Sequence, residues 1–144
     1  MNGYADTGFI ASLYLLETTT AAAQKVVVGL SAPLPLIPLS ILEMRNTLNL
    51  AIVRGKITLT ERDRIWRQFQ AQCDAGFFVK MTVPSQALHD KARELSDLHT
   101  PTLATRSLDL LHVAAAKLLG AREFFSFDER QRKTAAAEGL KVRP

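Results

Sequence analysis

Arg106–Gly120, RSLDLLHVAAAKLLG, is the stretch from which the rest of the chain can be read. Leu108, Leu111, Ala115, Leu118 and Leu119 recur at helical spacing, and Gly120 stands where a left-handed C-terminal cap belongs. The pattern predicts a largely buried helix of about four turns, at 3.6 residues per turn. Asp109 does not fit a core helix. It falls in the first turn beside the apolar stripe, where a free carboxylate loses its hydration. The positive end of the helix dipole and a bound cation are the two things that would make it tolerable there.

On the C-terminal side, Glu123–Asp128 (EFFSFD) reads as a strand ending in an acid. A helix from Glu129 to Glu138 follows, stopped by Gly139, and Leu140–Val142 is a last short strand. On the N-terminal side, Pro84 and Ser85 open a helix to about Leu98, and His99–Thr102 is a proline-containing loop. Phe77–Met81 is a strand. The segment before it, TERDRIWRQFQAQCDAG, is a helix from Thr60 with Asp63 in capping-box position and Ile65, Trp66, Phe69 and Cys73 as its buried stripe. Leu36–Leu39 is read as a short strand, and Ser40 as the N-cap of a helix from Ile41 to about Arg54, ended by Gly55. At the start, Gly3–Ala5 is a strand with Asp6 at its carboxyl end, and Thr18–Leu30 is an alanine-rich helix. Strands alternating with helices, with no hairpin turns, predict an α/β three-layer sandwich around a mainly parallel sheet.

Residues 1–144 are read as one domain, long enough to bury a proper core. With 47% hydrophobic and 22% charged residues, the chain reads as soluble and globular. No apolar run approaches the roughly 20 residues that span a bilayer, and MNGYAD lacks the basic start of a signal peptide. The single cysteine, Cys73, excludes an internal disulfide and a multi-cysteine zinc site, and suits a cytoplasmic location.

Four acids stand in related places. Asp6 and Asp128 end strands, while Glu43 and Asp109 lie in the first turns of helices. In a parallel sheet, strand ends and helix starts meet at one edge, where ligands bind in open α/β folds. Converged carboxylates repel one another and call for a hard cation such as Mg²⁺ or Mn²⁺. Such a site suits metal-assisted phosphodiester hydrolysis. Taken singly, each acid has a structural reading: Asp6 and Asp128 as N-caps, Glu43 as a charge favoured by the helix dipole. Arg106, one turn before Asp109, reads equally as a phosphate ligand and as a salt bridge to one of the acids. His112 reads as a hydrogen-bonded core residue. If the four acids form the site, ten acids remain against 18 bases, so the rest of the surface carries +8. Arg130, Arg132 and Lys133 would then lie near Asp128 and could hold a nucleic-acid backbone.

YADTGFIASLY, the helix with Glu43-Met44-Arg45-Asn46, RSLDLLHVAAA and FFSFDERQRKTAAAEGLKV together resemble the PIN-domain family, and within it the VapC-like toxins of type II toxin–antitoxin modules. The resemblance covers nearly the whole chain in order. It implies a Mg²⁺- or Mn²⁺-dependent ribonuclease, RNA (a tRNA among the candidates) as substrate, a cognate antitoxin as partner, and a homodimer. It also implies that Asp6, Glu43, Asp109 and Asp128 are catalytic metal ligands, supported by Thr7 and Ser126; Arg106 and Arg130, from their places beside Asp109 and Asp128, are the expected substrate contacts. Ser126 replaces the family's usual threonine but keeps the hydroxyl, and Gly8 departs from the usual small hydroxyl residue. Two readings compete with it. A phosphatase using Asp6 as nucleophile would want an Asp where Gly8 stands, and a non-catalytic module would use the acids only as caps.

Overall fold

The computed structural model describes residues 2–144. β1 (Gly3–Ala5) pairs in parallel with β4 (Glu123–Phe125), which pairs in parallel with β5 (Lys141–Arg143). β2 (Leu34–Leu36) pairs in parallel with β3 (Phe78–Lys80) and packs beside β1, so the layer runs β3-β2-β1-β4-β5. The gap in the ladder has a cause at Pro35. Leu34 N–H donates to Phe77 O and Leu36 O accepts from Met81 N–H, so both turn their backbone groups toward β3. Pro35, between them, faces β1 and has no N–H to offer.

Alternation along the strands separates two cores. Ala5 and Phe125 join one with residues of α1 (Thr7–Ser12), α2 (Thr20–Val28), α3 (Pro38–Val53) and α4 (Leu59–Asp74). Tyr4 and Phe124 join the other with residues of α5 (Ser85–Leu103), α6 (Ser107–Leu118) and α7 (Glu129–Ala137). Successive side chains of a strand face opposite ways, so three-residue strands suffice to feed both layers. The predicted sandwich is the observed one. Gly3 is required by contact, since a Cβ there would lie 2.5 Å from the Phe125 ring. Gly120, at φ 72°, takes the left-handed conformation expected after α6.

Several elements depart from their predicted bounds. α3 starts at Pro38, with Ile37 rather than Ser40 as N-cap, because proline suits the first helical position. The strand before it lies at Leu34–Leu36. Glu43 therefore sits beyond the first turn, and the dipole reading of it fails. α4 uses Thr58 and Glu61 as its capping box, two residues before the predicted pair. Glu61 is long enough to reach the Thr58 N–H, at 2.6 Å, while Asp63 pairs with Arg62. α5 runs through His99–Thr102 with Pro101 inside its last turn, ending at Ala104 in the left-handed region (φ 53°). On α6, Leu108 and Leu118 are exposed, and the buried face is Leu110 and His112–Ala116. α6 packs most extensively against α5, and its alanines share the second core with Tyr4 and Phe124. Among the described residues, no helix is long and apolar enough to cross a membrane.

Candidate active site

Asp6 immediately follows β1 and caps α1. Its Oδ1 accepts from the Phe9 N–H at 2.7 Å. The β1–β4 register sets Ala5 opposite Phe125, so the next residues, Asp6 and Ser126, meet at the same sheet edge. Ser126 Oγ donates to Asp6 Oδ2 and accepts from the Asp128 N–H at 3.0 Å. Asp128 caps α7 through Oδ1, which accepts from Gln131 N–H at 2.9 Å. One hydroxyl thus ties two of the acids together, and both acids are helix caps. Each cap engages one oxygen of two; the second oxygen of Asp6 receives Ser126, and that of Asp128 faces Arg106.

Asp109 lies in the first turn of α6, as predicted, with its side chain 14% exposed. Its Oδ1 accepts from Gln131 Nε2 at 3.2 Å and its Oδ2 from Arg106 Nε at 2.8 Å. Arg106, the N-cap residue of α6, also reaches Asp128 Oδ2 at 3.5 Å. Of the two readings of Arg106, the salt bridge is the one observed here. Glu43 comes from α3, and its Oε1 accepts from Thr7 Oγ1 at 3.1 Å. His112 Nε2 contacts the same oxygen, and Tyr4 Oη lies 2.8 Å from His112 Nδ1. Burial holds the Tyr4 phenol in its protonated form, well above its ordinary range. A phenol donating to Nδ1 leaves the Nε2 proton of a neutral imidazole for Glu43. His112 is thus a buried, hydrogen-bonded link, as its place in the helix suggests.

The hydrogen bonds form two neighbouring groups at the carboxyl ends of β1 and β4: Asp6, Ser126, Asp128, Arg106 and Asp109 in one, and Thr7, Glu43, His112 and Tyr4 in the other, with the chain step from Asp6 to Thr7 setting them side by side. Arg130 is exposed on α7 beside them, whereas Arg132 is committed elsewhere, donating to Ser126 O and Pro144 O. Gln131 carries no sequence signal that distinguishes it, yet it is 1% exposed and touches two of the acids. Burial pushes the Asp6 carboxyl up to about 6, against hydrogen bonds from Ser126 and the Phe9 N–H that favour its ionised form; the nearby Asp109 charge raises it further. Both Asp6 oxygens are engaged and Gly8 offers no second carboxyl, so the aspartyl-phosphatase reading has no support.

As it stands, no group of three His, Cys, Asp or Glu among the described residues is tight enough to hold a metal ion. The donor set nonetheless fits a hard cation. It is all carboxylate oxygen, it includes a buried acid that burial keeps from ionising freely, and it already draws in a cationic side chain, Arg106.

A PIN domain family model matches residues 4–137, a span that contains all four acids. The chain belongs to the PIN domain family. Solved structures similar to this PIN domain include VapC20 from Mycobacterium tuberculosis, described as a sarcin-ricin loop cleaving toxin. It has a TM-score of 0.70 and 17% identity, and the match covers 99% of this chain and 100% of that one. FitAcB from Neisseria gonorrhoeae gives 0.69 and 16%, covering 99% and 96%. PAE2754 from Pyrobaculum aerophilum gives 0.64 and 13%, covering 99% and 89%. At these identities the likeness establishes the fold. No match is found among curated proteins.

Proposed function

We propose that this PIN domain is a Mg²⁺- or Mn²⁺-dependent endoribonuclease and the toxin of a type II toxin–antitoxin module. The observation that carries the reading is the hydrogen-bonded group of Asp6, Asp109 and Asp128 at one sheet edge, with Glu43 bonded to Thr7, the residue after Asp6. The family assignment and the structural likeness to VapC20 and FitAcB support it. Asp6, Glu43, Asp109 and Asp128 would hold the metal. When bound, a divalent cation neutralises phosphate charge and promotes ionisation of the attacking water. Ser126 orients Asp6, and Thr7 orients Glu43. A carboxylate of the cluster, relieved of its own proton, accepts one from the attacking water. Arg106 and Arg130 would hold phosphates, the former after leaving its present ion pairs. A structured RNA is the proposed substrate, with a tRNA and a ribosomal RNA loop the two to try first. An antitoxin protein would silence the site, and the working form would be a cytoplasmic homodimer.

Labelled RNA incubated with the protein and Mg²⁺ or Mn²⁺ tests this. Asp6→Asn and Asp109→Asn should each lower cleavage on the order of a hundredfold or more, since even partners of metal ligands commonly matter ten- to a hundredfold. Cleavage unchanged in both variants would sink the mechanism. A second reading, a non-catalytic module, draws on the fact that each acid already has a protein partner. Calorimetry showing no Mn²⁺ binding would favour it.

A further inference from the structure

Each carboxylate of the Asp109–Asp128 pair is held on two sides by different kinds of partner. Gln131 takes Oδ1 of both, through its side chain at 3.2 Å and its backbone N–H at 2.9 Å. Arg106 takes Oδ2 of both, at 2.8 and 3.5 Å. The two partners differ sharply in freedom: Gln131 is 1% exposed, whereas the Arg106 side chain is 65% exposed. The pair therefore has a fixed half and an exchangeable half. A single guanidinium charge leaves two carboxylates under-neutralised, and a dication claiming the same oxygens would balance them.

We propose that Arg106 is a resident counter-ion, which a divalent cation must displace from Asp109 Oδ2 and Asp128 Oδ2, and which is thereby released to bind an RNA phosphate. The proposal rests on the metal-site reading above. In the metal-free protein Arg106 keeps the two acids from repelling each other. It does so at the expense of metal affinity, because metal and guanidinium compete for the same oxygens. Once displaced, its planar fork suits bidentate phosphate contact. Its position as the N-cap residue of α6, three residues before Asp109, keeps it beside the site. Metal loading and substrate capture become coupled through one side chain.

The test is calorimetric titration of Mn²⁺ into the full chain and its Arg106→Gln and Arg106→Lys variants, with RNA cleavage at saturating Mn²⁺ measured in parallel. Arg106→Gln should bind Mn²⁺ about tenfold more tightly, the scale of one modest charge-assisted contact. It should also cleave more slowly. Arg106→Lys, a point charge without the fork, should fall between the two in metal affinity, and serves if the glutamine variant does not fold. The wild-type–variant difference should shrink as salt rises, because Arg106 is exposed. Wild-type binding with equal or weaker Mn²⁺ affinity in both variants overturns the counter-ion proposal and leaves the nuclease reading intact. Tighter metal binding with undiminished cleavage overturns the coupling to phosphate. Absence of Mn²⁺ binding in wild type and variants alike overturns both this proposal and the metal-site reading.

Discussion

Asp6 serves two neighbours through two oxygens, capping α1 with one and receiving Ser126 on the other, inside a site that burial makes hostile to its charge. The sign of its pH effect follows from that. Its carboxyl titrates near 6 in the folded protein against an ordinary 3.8. Below about 3.8 both states are protonated and the group is neutral in its effect. Between 3.8 and about 6 the unfolded chain gives up the proton first, so stability falls as pH rises. Above about 6 the full penalty is present. Asp6→Asn, which keeps a capping side chain, should stabilise the metal-free protein by roughly 2 kcal/mol at pH 7.5. Thermal melts should show the gain disappearing toward pH 4. At the same scale, Tyr4→Phe leaves His112 Nδ1 buried without its partner and should cost about 1–3 kcal/mol in denaturant unfolding. The acids were legible because charge at a strand end or beside an apolar stripe is conspicuous in a sequence. Gln131 was not, because an amide in a run of polar residues looks like solvated surface until the fold buries it.

Helix ends show where sequence reading slipped and why. Thr58 and Thr60 both offer a hydroxyl, and only the reach of Glu61 back to the Thr58 N–H separates them. Thr58→Ala should therefore cost about 1 kcal/mol, whereas Thr60→Ala should be nearly silent in the same melts. Pro101 predicts a loop after Leu98, yet α5 carries it in an exposed last turn and ends instead at Ala104. A left-handed alanine is strained by its Cβ. Ala104→Gly should accordingly raise stability by roughly 0.5–1 kcal/mol, a reversal of the usual penalty for glycine. The site would feel it too, since the next residues are Thr105, bonded to Thr134 at 2.6 Å, and then Arg106. On α6, periodicity gave the right helix with the wrong buried face. Leucine dominates any count of apolar residues, but the face of α6 that is buried is the one that carries His112 and the alanines.

At the scale of the whole molecule, the layered α/β architecture was readable because strand and helix patterns alternate with punctuation between them. The order of strands was not, because three-residue strands carry no pairing signal. That order puts the earliest strand, β1, beside one formed some 120 residues later, β4. If the protein acts on RNA as proposed, binding should fall steeply with salt, since basic residues that hold phosphates do so without reading sequence; titrations between 50 and 200 mM salt, about the range over which such losses are large, would check it. The pairing of β1 with β4 has a consequence for biosynthesis. During synthesis Asp6 precedes its partners by some 120 residues: β1 has no ladder partner until Phe125 emerges, and Asp128 follows three residues later. Fragments from interrupted translation lack the partner strand, the Ser126 tie and the last acid together. If the acids form a nuclease site, a chain interrupted before Asp128 should therefore leave the cell a peptide that does not cleave RNA.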